Sequence, residues 1–213
     1  MQQSEEENSI EEDFDEKIKL MILGDTNVGK SSILRKYCKN EFFPKYVATI
    51  GIDFHLKYVT INNKKIRLQV WDTAGQERYK VVTKNYFNTS DGFIVIYDIT
   101  NRESFINVNN WIEQINSLVG EDVKCIIFGN KNDLEDKREV EMSEGKELAE
   151  KYKCKFFETS AKEGNNVEEG FHSLTLEILG DFKTVQTRRH ESSILKKPHK
   201  NNNKNNKKKG CCD

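Results

Sequence analysis

Between about residues 17 and 182, short apolar runs alternate with amphipathic stretches. The run 18–23 is almost wholly apolar and stops at Gly24, the signature of a strand buried on both faces. Segments 52–61 and 65–71 flank the turn pair Asn62-Asn63, and Ile66, Leu68 and Val70 fall on alternate positions. That pattern predicts a hairpin. Runs 93–97 and 123–128 predict two more buried strands, and 155–157 a shorter one. Helical spacing appears between them. Phe105, Val108, Ile112, Ile115 and Val119 share one face. Val167, Phe171, Leu174 and Ile178 share another, with Asn165 or Asn166 as its N-cap, and Ser143-Glu144 marks a third helix start. Alternating strands and helices predict an α/β fold: a mostly parallel six-stranded sheet with one antiparallel edge strand and helices on both faces. Ligands of such sheets bind at the carboxyl ends of the strands.

Composition adds two tails to this core. Hydrophobic residues make up 36% of the 213 and charged residues 32%, enough for one packed domain with a solvated surface. Net charge is −1, which favours neither nucleic acid nor membrane, and no nucleic-acid partner is expected. The sum hides an asymmetry, because residues 1–16 are acidic whereas 183–213 carry an Asn/Lys-rich basic tract. Both stretches offer little to bury and are predicted to be flexible tails around a domain at 17–182. The polar N-terminus predicts no secretory signal, and no run approaches the roughly 18 apolar residues of a spanning helix. Five scattered cysteines predict neither a disulfide framework nor a zinc site.

The chemistry enters at Gly24-Asp25-Thr26-Asn27-Val28-Gly29-Lys30-Ser31, which matches G-x-x-x-x-G-K-[ST] between a strand and a helix over 32–37. Glycines let the backbone wrap an anion, successive N–H groups make a nest, and the helix N-terminus adds partial positive charge. Asn27, Val28, Gly29, Lys30, Ser31 and Ser32 are therefore expected on the phosphates. Lys30 reaches the β- and γ-phosphates, and the Ser31 hydroxyl ligates Mg²⁺.

Three further elements end predicted strands. Asn130-Lys131-Asn132-Asp133 and Ser160-Ala161-Lys162 resemble the guanine-recognition elements of GTPases. The resemblance implies that Asp133 accepts from guanine N1–H and the exocyclic amine. Adenine would leave that carboxylate desolvated and unpaired, a discrimination of roughly 10⁴-fold. It also implies that the Ala161 N–H donates to the guanine carbonyl and that Lys131 and Phe42 cover the faces of the base. Asp72-Thr73-Ala74-Gly75-Gln76 resembles the D-x-x-G-Q element of the Ras superfamily. By that resemblance Asp72 holds Mg²⁺ through a water, Gly75 bonds the γ-phosphate and Gln76 orients the attacking water. Thr49 is the second protein ligand to Mg²⁺. Contacts of Thr49 and Gly75 with the terminal phosphate make a switch, since hydrolysis releases both loops.

Taken together, residues 17–182 resemble a Rab GTPase domain. Ile50-Gly51-Ile52-Asp53-Phe54, Leu68-Gln69-Val70-Trp71-Asp72 and Gln76-Glu77-Arg78-Tyr79 are similar to Rab signatures, and Trp71 beside Phe54 is similar to part of the Rab effector surface. The chain departs from the pattern at Thr26-Asn27, where many Rabs have Ser-Gly, and at Tyr86-Phe87-Asn88-Thr89, where Tyr-Tyr-Arg-Gly is usual. The ending Gly210-Cys211-Cys212-Asp213 lacks a C-a-a-X cysteine and resembles the doubly geranylgeranylated Rab termini, with Cys211 and Cys212 as lipid sites. Two chains anchor durably, and Lys207, Lys208 and Lys209 add attraction to an anionic leaflet.

The resemblance implies a monomeric G domain that binds GDP or GTP with Mg²⁺. It hydrolyses GTP at an intrinsic rate on the order of 10⁻⁴ to 10⁻³ s⁻¹ and recruits effectors in vesicle traffic. Its implied partners are an exchange factor, an activating protein, a GDP-dissociation inhibitor, the prenylation machinery and effectors. Its implied location is the cytoplasmic face of a membrane, with a cytosolic pool. The competing reading is a binding-only scaffold without turnover, which the presence of Lys30, Ser31, Thr49, Asp72 and Gln76 disfavours.

Overall fold

A computed structural model of the chain describes residues 13–44, 52–73 and 86–194, the last segment without side chains beyond 180. It contains strands β1 (Glu16–Leu23), β2 (Ile52–Ile61), β3 (Lys64–Thr73), β4 (Gly92–Asp98), β5 (Lys124–Asn130) and β6 (Lys155–Thr159). The helices are α1 (Lys30–Lys39), α2 (Arg102–Ile106), α3 (Val108–Val119), α4 (Met142–Lys151) and α5 (Val167–Ile194). The strands form one sheet in the order β2-β3-β1-β4-β5-β6. Only β2 pairs antiparallel, at the edge; every other pair is parallel. The backbone divides into one compact unit through Ile178 and a second from Leu179 onward.

The apolar runs explain this order. All seven residues of β4 are buried, as a central parallel strand requires. Alternate residues of the central strands serve opposite faces. Met21, Leu23, Phe93, Val95, Tyr97, Cys125 and Ile127 pack with Val108, Ile112 and Ile115 of α3 and with Leu148 and Ala149 of α4. On the other face Phe128 meets Phe171 of α5 edge-on, and Phe171 stacks on Tyr37 of α1 at 3.8 Å between centroids. The β2–β3 turn is made by Asn62 and Asn63, both at positive φ (51° and 61°), the conformation of a tight two-residue hairpin.

Three boundaries differ from the sequence reading. β1 begins at Glu16, and Phe14 before it lies under the Arg67 guanidinium at 4.1 Å. Asp15 exchanges backbone and side-chain hydrogen bonds with Lys65, so pairing with β3 carries order into the acidic stretch. The predicted helical face from Phe105 to Val119 is divided between α2 and α3 at Asn107. There the N–H is shared between the Glu103 and Phe105 carbonyls, and the side chain is drawn outward to Asp25. α4 starts one residue before Ser143: the Glu144 carboxylate accepts from the Glu141 N–H at 3.0 Å, so Glu141 takes the N-cap position.

Because β1, β3, β4, β5 and β6 run parallel, their carboxyl ends share one edge of the sheet. Gly24, Asp72, Asp98, Asn130 and Ser160 are delivered there together.

Candidate functional site

The loop after β1 turns back on itself through residues that tolerate positive φ. Gly24 (141°), Asn27 (67°) and Gly29 (100°) make the bends. At Gly24 a Cβ would collide with the Ile96 carbonyl, and at Gly29 with the Asn130 amide, so neither position admits a side chain. Val28 is buried, Asn27 is exposed, and Ser32 lies half-buried in the first turn of α1. Lys30, the first residue of α1, is only 6% exposed, and its ammonium donates to the carbonyls of Gly24 (2.9 Å) and Asp25 (2.6 Å). Burial lowers its pKa to about 8, against the opposing pull of the Asp72 and Asp25 carboxylates. A lysine held this way charges readily when an anion enters the loop. Ser31 donates its hydroxyl to Asp72 Oδ2, joining the helix start to the end of β3.

Asn130 binds two of the loops together. Its Nδ2 donates to the Val28 carbonyl at 2.8 Å, while its Oδ1 accepts from the Ala161 N–H at 3.2 Å and from Thr159 Oγ1 at 3.3 Å. Its side chain is consumed within the protein, so Asn130 positions the loops. The Ala161 N–H, expected on the base, lies on this shared acceptor. Lys131 follows at positive φ (70°), with its ammonium 2.6 Å from Asp98 Oδ2. Asp133 accepts from Ser160 Oγ at 2.6 Å through Oδ1, and its Oδ2 stands 3.8 Å from Lys162 Nζ. Lys162 is exposed, and the neighbouring Glu163 carboxylate holds its pKa up, with Asp133 adding to the effect. Ser160 Oγ also accepts from the Glu163 N–H, so one hydroxyl orders both its own loop and the Asp133 carboxylate. Phe42 lies past α1 with 36% of its surface exposed.

The structure thus gathers the phosphate loop, Asp72, Asn130 to Asp133 and Ser160 to Lys162 at one sheet edge. Thr49, Gly75 and Gln76 lie outside the described residues, as do Cys211 and Cys212.

Three features escaped the sequence reading. Asp98 fixes Lys131 and is itself held by Thr100 and Ser104; its place at the end of a buried strand, where every other motif falls, was the available signal. Tyr86 packs tilted against Trp71 at 4.8 Å between centroids, and Trp71 tilted against Phe54 at 4.9 Å, extending the expected aromatic pair to three rings with Phe54 46% exposed. Finally, Asp25 in the phosphate loop is bonded to Asn107 and Trp111, a long-range contact with no local pattern.

The chain matches the Ras family over residues 19–180. It is similar to Ras-related protein Rab-8B of Homo sapiens, with 44% identity over 166 residues, 78% of this chain and 80% of the relative. Ras-related protein Rab-3 of Caenorhabditis elegans is 45% identical over 171 residues, 80% of this chain and 78% of the relative. Ras-related protein Rab-13 of Rattus norvegicus is 43% identical over 180 residues, 84% and 88% respectively.

Proposed function

The chain belongs to the Ras family, in its Rab branch of small GTPases, and from that premise we propose that the edge-of-sheet site holds GDP or GTP with Mg²⁺ through the residues assembled there. As a Rab-type small GTPase it binds guanine nucleotide, hydrolyses GTP and regulates vesicle traffic. The observation that carries the residue assignment is Asn130, whose two ends tie the phosphate loop to the loop of Ser160 and Ala161.

In this reading Asn27 to Ser32 cradle the phosphates with backbone N–H groups, and Lys30 exchanges its two carbonyl partners for phosphate oxygens. Asp133, oriented by Ser160, accepts from the guanine edge, and the Ala161 N–H is shared between Asn130 and the guanine carbonyl. Lys131, pinned by Asp98, and Phe42 flank the base. The Ser31 hydroxyl and the buried Asp72 carboxylate are hard oxygen donors already in contact, a set that suits Mg²⁺, with Thr49 completing it. Among the described residues no group of three or more His, Cys, Asp or Glu side chains could hold a metal alone. Mg²⁺ needs none, since phosphate oxygens and water fill its remaining positions. When bound, the ion neutralises charge on the phosphates. Gly75 bonds the terminal phosphate and Gln76 positions the attacking water.

The partners are an exchange factor, an activating protein, a GDP-dissociation inhibitor, prenylation enzymes and effectors that read the Phe54–Trp71–Tyr86 surface. Prenylated Cys211 and Cys212, with the basic tail, place the protein on the cytoplasmic face of a membrane, with a cytosolic pool. No described helix is long and apolar enough to cross a membrane, which suits attachment by lipid.

The base assignment is tested by Asp133→Asn. An amide can serve the carbonyl that xanthine carries in place of the guanine amine. The variant should lose GDP affinity by a hundredfold or more and gain XDP binding. GDP affinity retained within a few-fold would remove Asp133 from the site.

A further inference from the structure

The Asp25 side chain sits in the phosphate loop but faces away from the elements that build it. One carboxylate oxygen accepts from the Trp111 indole N–H at 2.9 Å and the other from the Asn107 amide at 2.8 Å. Asn107 is the α2–α3 joint, and Trp111 is half-buried one turn further along α3. Both are more than 80 residues from Asp25 in the chain. We infer that Asn107 and Trp111 are positioning residues of the nucleotide site, holding the phosphate loop open for its anion through Asp25 and so slowing nucleotide release. The inference rests on the nucleotide reading given above.

First, the loop has bends at Gly24, Asn27 and Gly29 that persist only where the surroundings over-determine them. Lys30 grips it from within through the Gly24 and Asp25 carbonyls, and Asn130 grips it from beneath at Val28. Asp25 is the outer grip. The Lys30 contacts are the ones a phosphate would take over, so the α3 contacts are those that remain when nucleotide binds.

Second, Asp25 is an anion at the mouth of an anion site. Left to rotate, its carboxylate would repel the phosphates. Two N–H donors, one on the cap of α3 and one on its first turn, draw both oxygens toward the helix. Hydrogen bonds to a charged acceptor are about twice as strong as neutral ones, so the orientation is firm.

Third, the same short segment also serves the base side. Asp98, which fixes Lys131, donates its backbone N–H to Ser104 Oγ of α2, and Ser104 is capped by Asn101. The stretch from Asn101 to Trp111 therefore braces both halves of the site from one side.

The test measures release of a fluorescent GDP from the full chain in excess Mg²⁺. Trp111→Phe keeps the ring and deletes the donor, and should speed release about tenfold, the worth of one charge-assisted hydrogen bond, with the association rate nearly unchanged. Asn107→Ala should speed it in the same direction. In an Asp25→Ala background, Trp111→Phe should add less than twofold, because the partner is gone. A merely structural Trp111 would act equally in both backgrounds, so an undiminished effect there overturns the inference. So does wild-type release from both Trp111→Phe and Asn107→Ala, which needs no Asp25 variant to be stable. If the unmodified chain fails to hold GDP, the nucleotide reading itself is what falls.

Discussion

Lys30 combines a formal charge with near-complete burial, and the cost appears as a pKa near 8 in place of 10.5. The sign follows from burial, which disfavours the ammonium. Between pH 8 and 10.5 the folded chain binds fewer protons at this group than the unfolded chain, so its contribution to stability grows as pH rises through that window and is lost as pH falls through 8. Phosphate reverses the balance by favouring the charged form. Nucleotide binding at pH 8 should therefore take up about half a proton, and much less at pH 7. Calorimetry in two buffers of different ionisation enthalpy reads the uptake directly; equal uptake at both pH values would mean that Lys30 does not titrate there. The place of Lys30 at the start of a helix behind a glycine-rich turn was legible from eight consecutive residues, because that pattern is local in sequence. Asp98 was not, because its partner Lys131 follows a different strand, and only its place at a strand end hinted at a role.

At the scale of elements, the loops that carry Asp133 and Ser160 depend on an ion pair behind them. Arg138 makes two parallel hydrogen bonds to Glu158 at 2.6 and 2.9 Å, and Glu158, near the end of β6, is only 6% exposed. Asn166 donates to the Glu158 carbonyl, so the strand end that launches Ser160 is fixed on both sides. Removing the arginine leaves a buried carboxylate unpaired. Arg138→Ala should cost about 3 kcal/mol of stability, seen as a lower midpoint in denaturant with an unchanged slope. A loss below about 1 kcal/mol would mean that water takes the place of the arginine. Strands and hairpin were readable because period and turn chemistry are local: Asn62-Asn63 announced the turn that pairs β2 with β3. The joint at Asn107 was not, because its apolar neighbours keep helical spacing across it and Asp25, which draws its amide out, is distant in the chain.

For the whole molecule, five parallel strands aim their carboxyl ends at one edge, so motifs scattered from Gly24 to Lys162 converge there. That convergence followed from the alternation of strand and helix, whereas the ties that hold it, through Asn130 and Asp25, depend on geometry that only the folded chain supplies. In the reading proposed above, attachment to membranes is a separate property carried by the tail. Replacing Cys211 and Cys212 together by serine should move the protein wholly to the soluble fraction on cell fractionation while leaving GDP affinity intact. Continued sedimentation with membranes would assign the anchoring elsewhere. The central claim, that the site selects guanine nucleotide with Mg²⁺, is tested most directly by the dissociation constants of GDP, GTP and ATP for the purified full chain, with and without Mg²⁺. Both guanine nucleotides should bind tightly, less so when Mg²⁺ is chelated, and ATP should be rejected by roughly 10⁴-fold. Comparable affinity for ATP, or guanine binding indifferent to Mg²⁺, would contradict it.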